Sequence, residues 1–425
     1  MSIARIEQAC AALPDDWLRP ARDIGIARFA ANGFPSTRHE DWKYTDLAPV
    51  AERTLAYLAN PPPAQPAPVE PLQDHGDSMR VLFVNGRLAP GQRLPVAEGL
   101  SLVALADADA AGRARILDRL QALRADPAAD LAALNAAFIS GGLLIEIAAG
   151  ARIERPLEIL LQADGQPVAA QPRLVISAGA NSQVTLIEQY AGTGAGLTNA
   201  VTDLHCGPGA QVSYTKLQAE SPDTHHVALQ RLVLERDSRV QVVQLDLGAR
   251  LSRNDLQVEL GAPGAEVSIH GLFVADGTAH VDNHTRLDHL APHTLSSEIY
   301  RGIAANQGRG VFNGKIVVHD GADGTDADLN NRNLLLSQRA EIDTKPELEI
   351  YADDVKCAHG ATTGQLDANA LFYLRSRGLA EAQARSMLVN AFAKEILERI
   401  PLPRLRETVQ QGLELRLARD AEAPA

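Results

Sequence analysis

The sequence predicts a mainly β protein: a parallel β-helix flanked by an N-terminal α/β region and a C-terminal helical region. Three observations predict it. Between residues 141 and 366, short runs of Val, Ile and Leu alternate with polar residues and are punctuated by glycine turns, with almost no helix-like stretch. Within that span a turn followed three residues on by a β-branched residue recurs, at Gly150 before Ile153, Gly209 before Val212, Asp237 before Val240 and Gly264 before Val267, with a looser copy at Gly179 before Val184. The steps are 29, 30, 28 and 27 residues. A sandwich turns every 8 to 12 residues or thereabouts, roughly a third of this period, whereas a coil that cannot bury its apolar face alone must stack on the next at a fixed longer repeat. Outside the span the apolar spacing changes to three and four, the period of helices.

Residues 1–58 read as a helical region, with Ile3, Ile6, Cys10 and Leu13 on one stripe. Cys10 sits on that stripe and reads as a small core residue. Residues 59–75 contain Asn60-Pro61-Pro62-Pro63-Ala64-Gln65-Pro66-Ala67-Pro68, too rich in proline to continue a helix, and read as a semi-rigid linker. Residues 76–140 read as mixed α and β. Val81-Leu82-Phe83-Val84 runs into Asn85-Gly86, a strand ending in a tight-turn signal, and the stretch from Ala110 to Phe138 reads as helix. Residues 367–425 form the C-terminal helical domain: Ala384, Leu388, Phe392 and Ile396 lie on one stripe, Pro401 and Pro403 break it, and Leu405, Val409 and Leu413 lie on a second. The exposed flank of this helical pair is a candidate docking surface.

Composition narrows the function. A chain of 425 residues is long enough for several units around a sizeable core. Its 40 basic and 53 acidic side chains leave a net charge of -13, a field that repels phosphate backbones and excludes nucleic acid as the expected partner. No apolar run follows a basic start, and nowhere do about 18 apolar residues run without a charge, so neither export nor membrane spanning is expected. Three cysteines, Cys10, Cys206 and Cys357, are scattered and odd in number, which argues for a reducing, cytoplasmic setting over a disulfide framework.

The residues most able to carry chemistry are Cys357 and His359, in Asp353-Asp354-Val355-Lys356-Cys357-Ala358-His359-Gly360. On a strand, residues two apart share a face, so a thiolate and an imidazole would stand side by side, with Lys356 favouring the thiolate. Those donors suit iron, zinc or an iron–sulfur cluster, but a closed tetrahedral site needs four. Any remaining ligands must come from a distant segment or another subunit. The bland reading, a core cysteine and a turn-capping histidine, is the commoner fate of an arbitrary Cys-x-His. The run His280, His284, His289 and His293, with His270 before and His319 after, has ligand-like spacing, yet on strands its imidazoles scatter over different faces; His289 and His293 rank second as ligands. Cys206 beside His205 faces the opposite way and reads as packing. Gly314-Lys315 and Gly192-Thr193-Gly194-Ala195-Gly196 lack the rest of a phosphate loop, and neither a Gly-x-Ser-x-Gly elbow nor a His-Glu-x-x-His helix occurs, so no enzyme is expected and ATP hydrolysis would belong to a partner.

Two stretches resemble the SufD family of iron–sulfur assembly proteins. One is Glu40-Asp41-Trp42-Lys43-Tyr44-Thr45. The other runs from Asn333-Leu334-Leu335-Leu336-Ser337 through Glu341-Ile342-Asp343-Thr344-Lys345-Pro346-Glu347 and Lys356-Cys357-Ala358-His359-Gly360-Ala361-Thr362 to Leu371-Phe372-Tyr373-Leu374-Arg375-Ser376-Arg377-Gly378. The paralogous SufB type typically carries Glu-His-Glu-Ala-Thr at the second place and has more cysteines, which favours the SufD type. The resemblance implies a right-handed parallel β-helix, pairing with a SufB-type subunit through the β-helix and holding a SufC-type ABC ATPase on the C-terminal helices. It also implies that His359, and with it Cys357, faces the SufB interface, where iron or a transient cluster is shared and no cofactor is held tightly by this chain alone. Members often have serine where Ala358 stands; its side chain points away from both donors. Two other readings remain open at this stage, a β-helix enzyme acting on polysaccharides and a metal-free homodimeric interaction protein.

Overall fold

The computed structural model describes residues 3–58, 77–122, 130–139 and 141–420. The proline-rich linker expected at 59–75 lies outside the described residues. The N-terminal part holds helices α1 (Ile3–Ala11), α2 (Arg19–Asn32) and α3 (Ala48–Leu58), strands β1 (Met79–Val84), β2 (Arg87–Leu88) and β3 (Leu100–Ala104), and helices α4 (Ala110–Ala122) and α5 (Asp130–Ala137). Strands then follow without interruption: β4 (Gly141–Ile147), β5 (Leu157–Gly165), β6 (Ala169–Ala170), β7 (Pro172–Ala178), β8 (Gln183–Gly194), β9 (Leu197–Cys206), β10 (Gln211–Gln218), β11 (His225–Leu234) and β12 (Arg239–Asp246). The series continues with β13 (Leu251–Leu260), β14 (Glu266–Ala275), β15 (His280–His289), β16 (Leu295–Ala304), β17 (Arg309–Val318), β18 (Asp326–Leu335), β19 (Glu341–Ile350) and β20 (Lys356–Gln365). Helices α6 (Ala368–Ser376), α7 (Glu381–Leu397) and α8 (Pro403–Asp420) close the described chain.

The strands alternate between two facing sheets, in the order β2-β1-β5-β8-β10-β12-β14-β16-β18-β20 and β19-β17-β15-β13-β11-β9-β7-β4-β3, with β6 beside β9. From β5 onward each strand pairs in parallel with the strand of the next coil, so the predicted parallel β-helix is the fold. β1 pairs in parallel with β5, so the first sheet begins before residue 141. Asn85 and Gly86, both with positive φ, make the tight turn that the sequence signals into β2.

The coil repeat has a backbone cause. Gly150, Asn181, Gly209, Asp237, Gly264, His293 and Gly324 all hold positive φ, and each donates its N–H to a carbonyl of the succeeding coil, at 2.6 to 3.2 Å. The steps are thus 27 to 31 residues, Asn181 and not Gly179 is the left-handed residue of its coil, and two further copies occur at His293 and Gly324. Close stacking reserves part of this column for glycine. A Cβ on Gly264 would lie 2.1 Å from Asp237 Oδ1, and one on Gly324 would lie 2.3 Å from His293 Nδ1.

Apolar side chains of both sheets fill the interior, from Met79 to Ala340. Outside, the N-terminal helices cover the early coils of the second sheet through Phe29, Trp42, Leu134, Leu197, Val227 and Leu251. α7 and α8 cover the first sheet, burying Val389, Ala393, Ile396, Leu405, Val409 and Leu413 on Ile187, Leu217, Val243, Leu245, Leu272 and Ile303. The second predicted stripe, Leu405, Val409 and Leu413, is buried throughout; in the first, Ala384 and Ile396 are buried, while Leu388 and Phe392 are half-buried because α7 is turned to seat Val389 and Ala393.

The two ends of the solenoid differ. At the early end β2 and β3 run antiparallel to their neighbours and blunt the stack. At the late end, among the described residues, β19 pairs only with β17 and β20 only with β18, leaving a full strand edge open on each sheet.

Candidate functional site

β20 carries both predicted site residues on the open end. Its Cys357 pairs in register with Ala327, and His359 with Leu329; both partners are buried interior residues, so the two donors face inward at the mouth of the solenoid. Cys357 is half-buried against the interior apolar cluster and His359 is exposed. The expectation that Lys356 lowers the thiol's pKa is not met: burial pushes the Cys357 thiol up, the Asp326 carboxylate adds to the rise, and Lys356 belongs to the other face of the strand. Among the described residues, no group of three or more His, Cys, Asp and Glu stands close enough to hold a metal ion. This chain therefore offers a pair of donors at the mouth, short of a closed shell.

Five other histidines have structural employment, whereas the buried His270 leaves its Nδ1 without a hydrogen-bond partner among the described residues. His289 is fully buried, with Nδ1 2.8 Å from Thr294 Oγ1 and Nε2 2.9 Å from Ser296 Oγ, and burial lowers its pKa to about 4, so it is a neutral ring with both nitrogens engaged. His293 is the left-handed turn residue of its coil. His284 lies 3.1 Å from Asp282, His319 2.9 Å from Asp288 and His205 3.0 Å from Glu235. The Cys206 thiol is pushed up to about 12 by burial, which makes it an inert packing group.

Two clusters escaped the sequence reading. The first explains the Glu40–Thr45 stretch, which clamps the N-terminal segment to the second sheet. Trp42 is buried with the Arg253 guanidinium 4.3 Å from its ring centroid. Arg253 also donates to the carbonyl of Asp41 at 2.9 Å, to Asp282 at 2.6 Å and to Asp255 at 2.7 Å. Thr45 donates to Asp282 as well, and His280 Nε2 lies 2.8 Å from the Thr45 hydroxyl. Burial alone would raise the Asp282 pKa, but Arg253 overrides it and holds the carboxyl far below the usual range. Lys345, on β19, reaches back to Glu40 at 2.7 Å. No local pattern signals this clamp, because the partners are more than 200 residues apart and lie on different elements.

The second cluster is a buried ionic group inside the middle coils. Lys216 Nζ is 3.0 Å from His226 Nε2, Glu220 is 2.7 Å from His226 Nδ1, and Asn254 donates to Asp246 at 2.7 Å. Glu188 accepts from Tyr214 at 2.5 Å and from Thr202 at 2.9 Å. The interior rings of Phe273, Tyr300 and Phe312 lie between this cluster and the open end; Tyr300 leaves no room for a side chain at position 271, where a Cβ on Gly271 would meet its ring at 2.1 Å. The ionic group thus belongs to the scaffold and not to the Cys357 mouth.

Comparison with known proteins places the chain in one family. Residues 160–392 match the family described as SUF system FeS cluster assembly, SufBD core domain, and residues 5–159 match the SufBD protein N-terminal region. An iron–sulfur cluster assembly SufBD family protein of Synechocystis sp. is 31% identical over 396 residues, covering 90% of this chain and 87% of that protein. The iron–sulfur cluster assembly protein SufD of Escherichia coli is 30% identical over 404 residues, covering 94% of this chain and 93% of that protein. With its core matched from β5 into α7 and its helical clamp within the matched N-terminal region, the chain belongs to the SufBD family of iron–sulfur cluster assembly proteins.

Proposed function

We propose that the chain is a SufD-type, non-catalytic scaffold subunit of the cytoplasm that shares nascent iron–sulfur cargo with a SufB-type partner across its open end. One observation carries this reading: Cys357 and His359 face the uncovered mouth of the solenoid, on an edge strand, with too few donors to close a metal shell. A second subunit seated on β19 and β20 supplies the missing donors and satisfies the open backbone edges together. Because Cys357 is a thiol in the free chain, iron binding there releases the thiol proton to solvent, and retention of iron rises with pH.

A SufC-type ATPase docks on the C-terminal helices. In support, Phe372, Tyr373 and Met387 on α6 and α7 are 75%, 55% and 51% exposed, a concentration of large apolar side chains that water does not favour. Closure of two such ATPases, one per scaffold arm, strains the paired solenoids and opens their interface to iron and sulfide. The polysaccharide reading finds no support in the family, and no described helix is long and apolar enough to cross a membrane. A metal-free homodimer places a second copy on the same end.

The test is co-expression with SufB-type and SufC-type proteins, anaerobic purification, and iron and sulfide assays on wild type, Cys357→Ala and His359→Ala. Loss of iron in His359→Ala with the complex intact makes His359 a site residue. Unchanged iron in every variant makes this chain a structural arm and gives the cargo to its partner.

A further inference from the structure

The contact between α7–α8 and the first sheet is built on apolar side chains, with the buried His270 of β14 near Glu395 of α7 and Arg399 just past it. Apolar packing sets which flank of α7 seats on the sheet, while hydrogen bonds and ion pairs add fixed points along it. Among the described residues, two directional links cross this seam, and both land on the late coils. Arg385 of α7 donates to the carbonyl of Leu336, just past β18, at 3.0 Å. Arg301 of β16 donates to Glu395 of α7 at 2.6 Å.

Arg301 is the better connected of the two. Its side chain is 6% exposed, lies 6.0 Å from the Phe392 ring centroid, and donates to the carbonyl of Tyr300 at 3.0 Å and to Asn330 Oδ1 at 3.1 Å. Asn330 sits on β18 in register with Gly360 of β20, and a Cβ on Gly360 would stand 4.0 Å from its Nδ2. Side-chain links therefore run from α7 through Arg301 to Asn330, and the β18–β20 pairing carries the line on to Gly360, the residue next to His359. Burial lowers the Arg301 pKa and Glu395 offsets that effect, so a displaced α7 either carries Arg301 with it or strands a guanidinium in a dry seam.

We propose that Arg301 is a positioning residue that pins α7 to the coil under the terminal strand, so that displacement of the C-terminal helices is delivered to the strand bearing Cys357 and His359. The inference rests on the reading above, in which an ATPase docks on those helices. Its test uses the full complex with the SufB-type and SufC-type proteins, following alkylation of Cys357 by N-ethylmaleimide through mass spectrometry, with and without ATP.

In wild type, ATP is expected to change the Cys357 alkylation rate about fivefold or more. Glu395→Gln and Arg301→Met are expected to lose that response while complex yield and ATPase rate stay at wild-type values, and Arg301→Lys, which keeps a cationic donor at that place, is expected to retain part of it. A merely structural Arg301 would lower yield without separating alkylation from ATP hydrolysis. Should Arg301→Met fail to fold, Glu395→Gln at its half-exposed position still decides the matter. A full ATP response in Glu395→Gln overturns the proposal. A wild-type complex whose Cys357 ignores ATP sinks the ATPase lever itself, and with it this inference.

Discussion

Arg253 holds Trp42, the Asp41 carbonyl, Asp255 and Asp282 at once. Replacing it by methionine leaves Asp282 buried without its cation, so Arg253→Met is expected to lose about 3 to 5 kcal/mol in urea unfolding. Glu298 carries the opposite sign. It is fully buried, and burial raises its pKa to about 8. Between the unfolded carboxylate range and that value the folded state keeps a proton the unfolded state has lost, so this residue makes stability fall as pH rises through that window. Glu298→Gln is expected to gain melting temperature relative to wild type as pH goes from 5 to 8, roughly the interval between the two pKa values; a constant difference across the range would contradict the assignment. Of the site, the sequence made legible that Cys357 and His359 share a face, since alternation is local. It did not disclose that this face is the mouth of the solenoid, which depends on where the stack ends. Nor did it disclose the environment of the thiol, which Asp326 sets from the neighbouring strand.

At the scale of elements, the coil repeat was legible wherever glycine or aspartate marked the left-handed turn and a β-branched residue followed. It was illegible at Asn181 and His293, where other residues take the same conformation. This conflict is testable at His293, whose spacing ranks it as a ligand and whose backbone makes it a turn. Asparagine tolerates positive φ, so His293→Asn is expected to change stability by less than about 1 kcal/mol and to leave iron retention in the complex at the wild-type level. Gly264→Val adds a branched side chain at a φ of 76° against Asp237, and is expected to cost more than about 2 kcal/mol by thermal or urea unfolding. The helical pair was legible from its period, including the break before Pro403. Its rotation was not, because the sheet's own relief decides which flank of α7 seats deepest. Ile396→Ala on that flank is expected to cost about 2 to 5 kcal/mol in unfolding measurements.

At the scale of the whole molecule, the fold class and the helical flanks followed from period alone, while the clamp between the Glu40–Thr45 segment and the second sheet did not. Exposed Phe372 and Tyr373 mark the outer surface of the C-terminal unit, and Phe372→Asp with Tyr373→Asp is expected to weaken capture of the SufC-type ATPase at least about tenfold in titration calorimetry, with unfolding midpoints unchanged. The difference between the two solenoid ends has a further consequence. A rod with adhesive edges at both ends adds copies without limit and grows into a fibre, as heterologous contacts do when they fail to close. On the proposed function a partner is recruited on the ten-residue edges of β19 and β20, while the two-residue β2 and five-residue β3 offer little edge to pair with, so assembly is expected to end at two rods, like or unlike. The stoichiometry proposed for the scaffold would thereby be written into the antiparallel caps, far from the Cys357 and His359 of the opposite end.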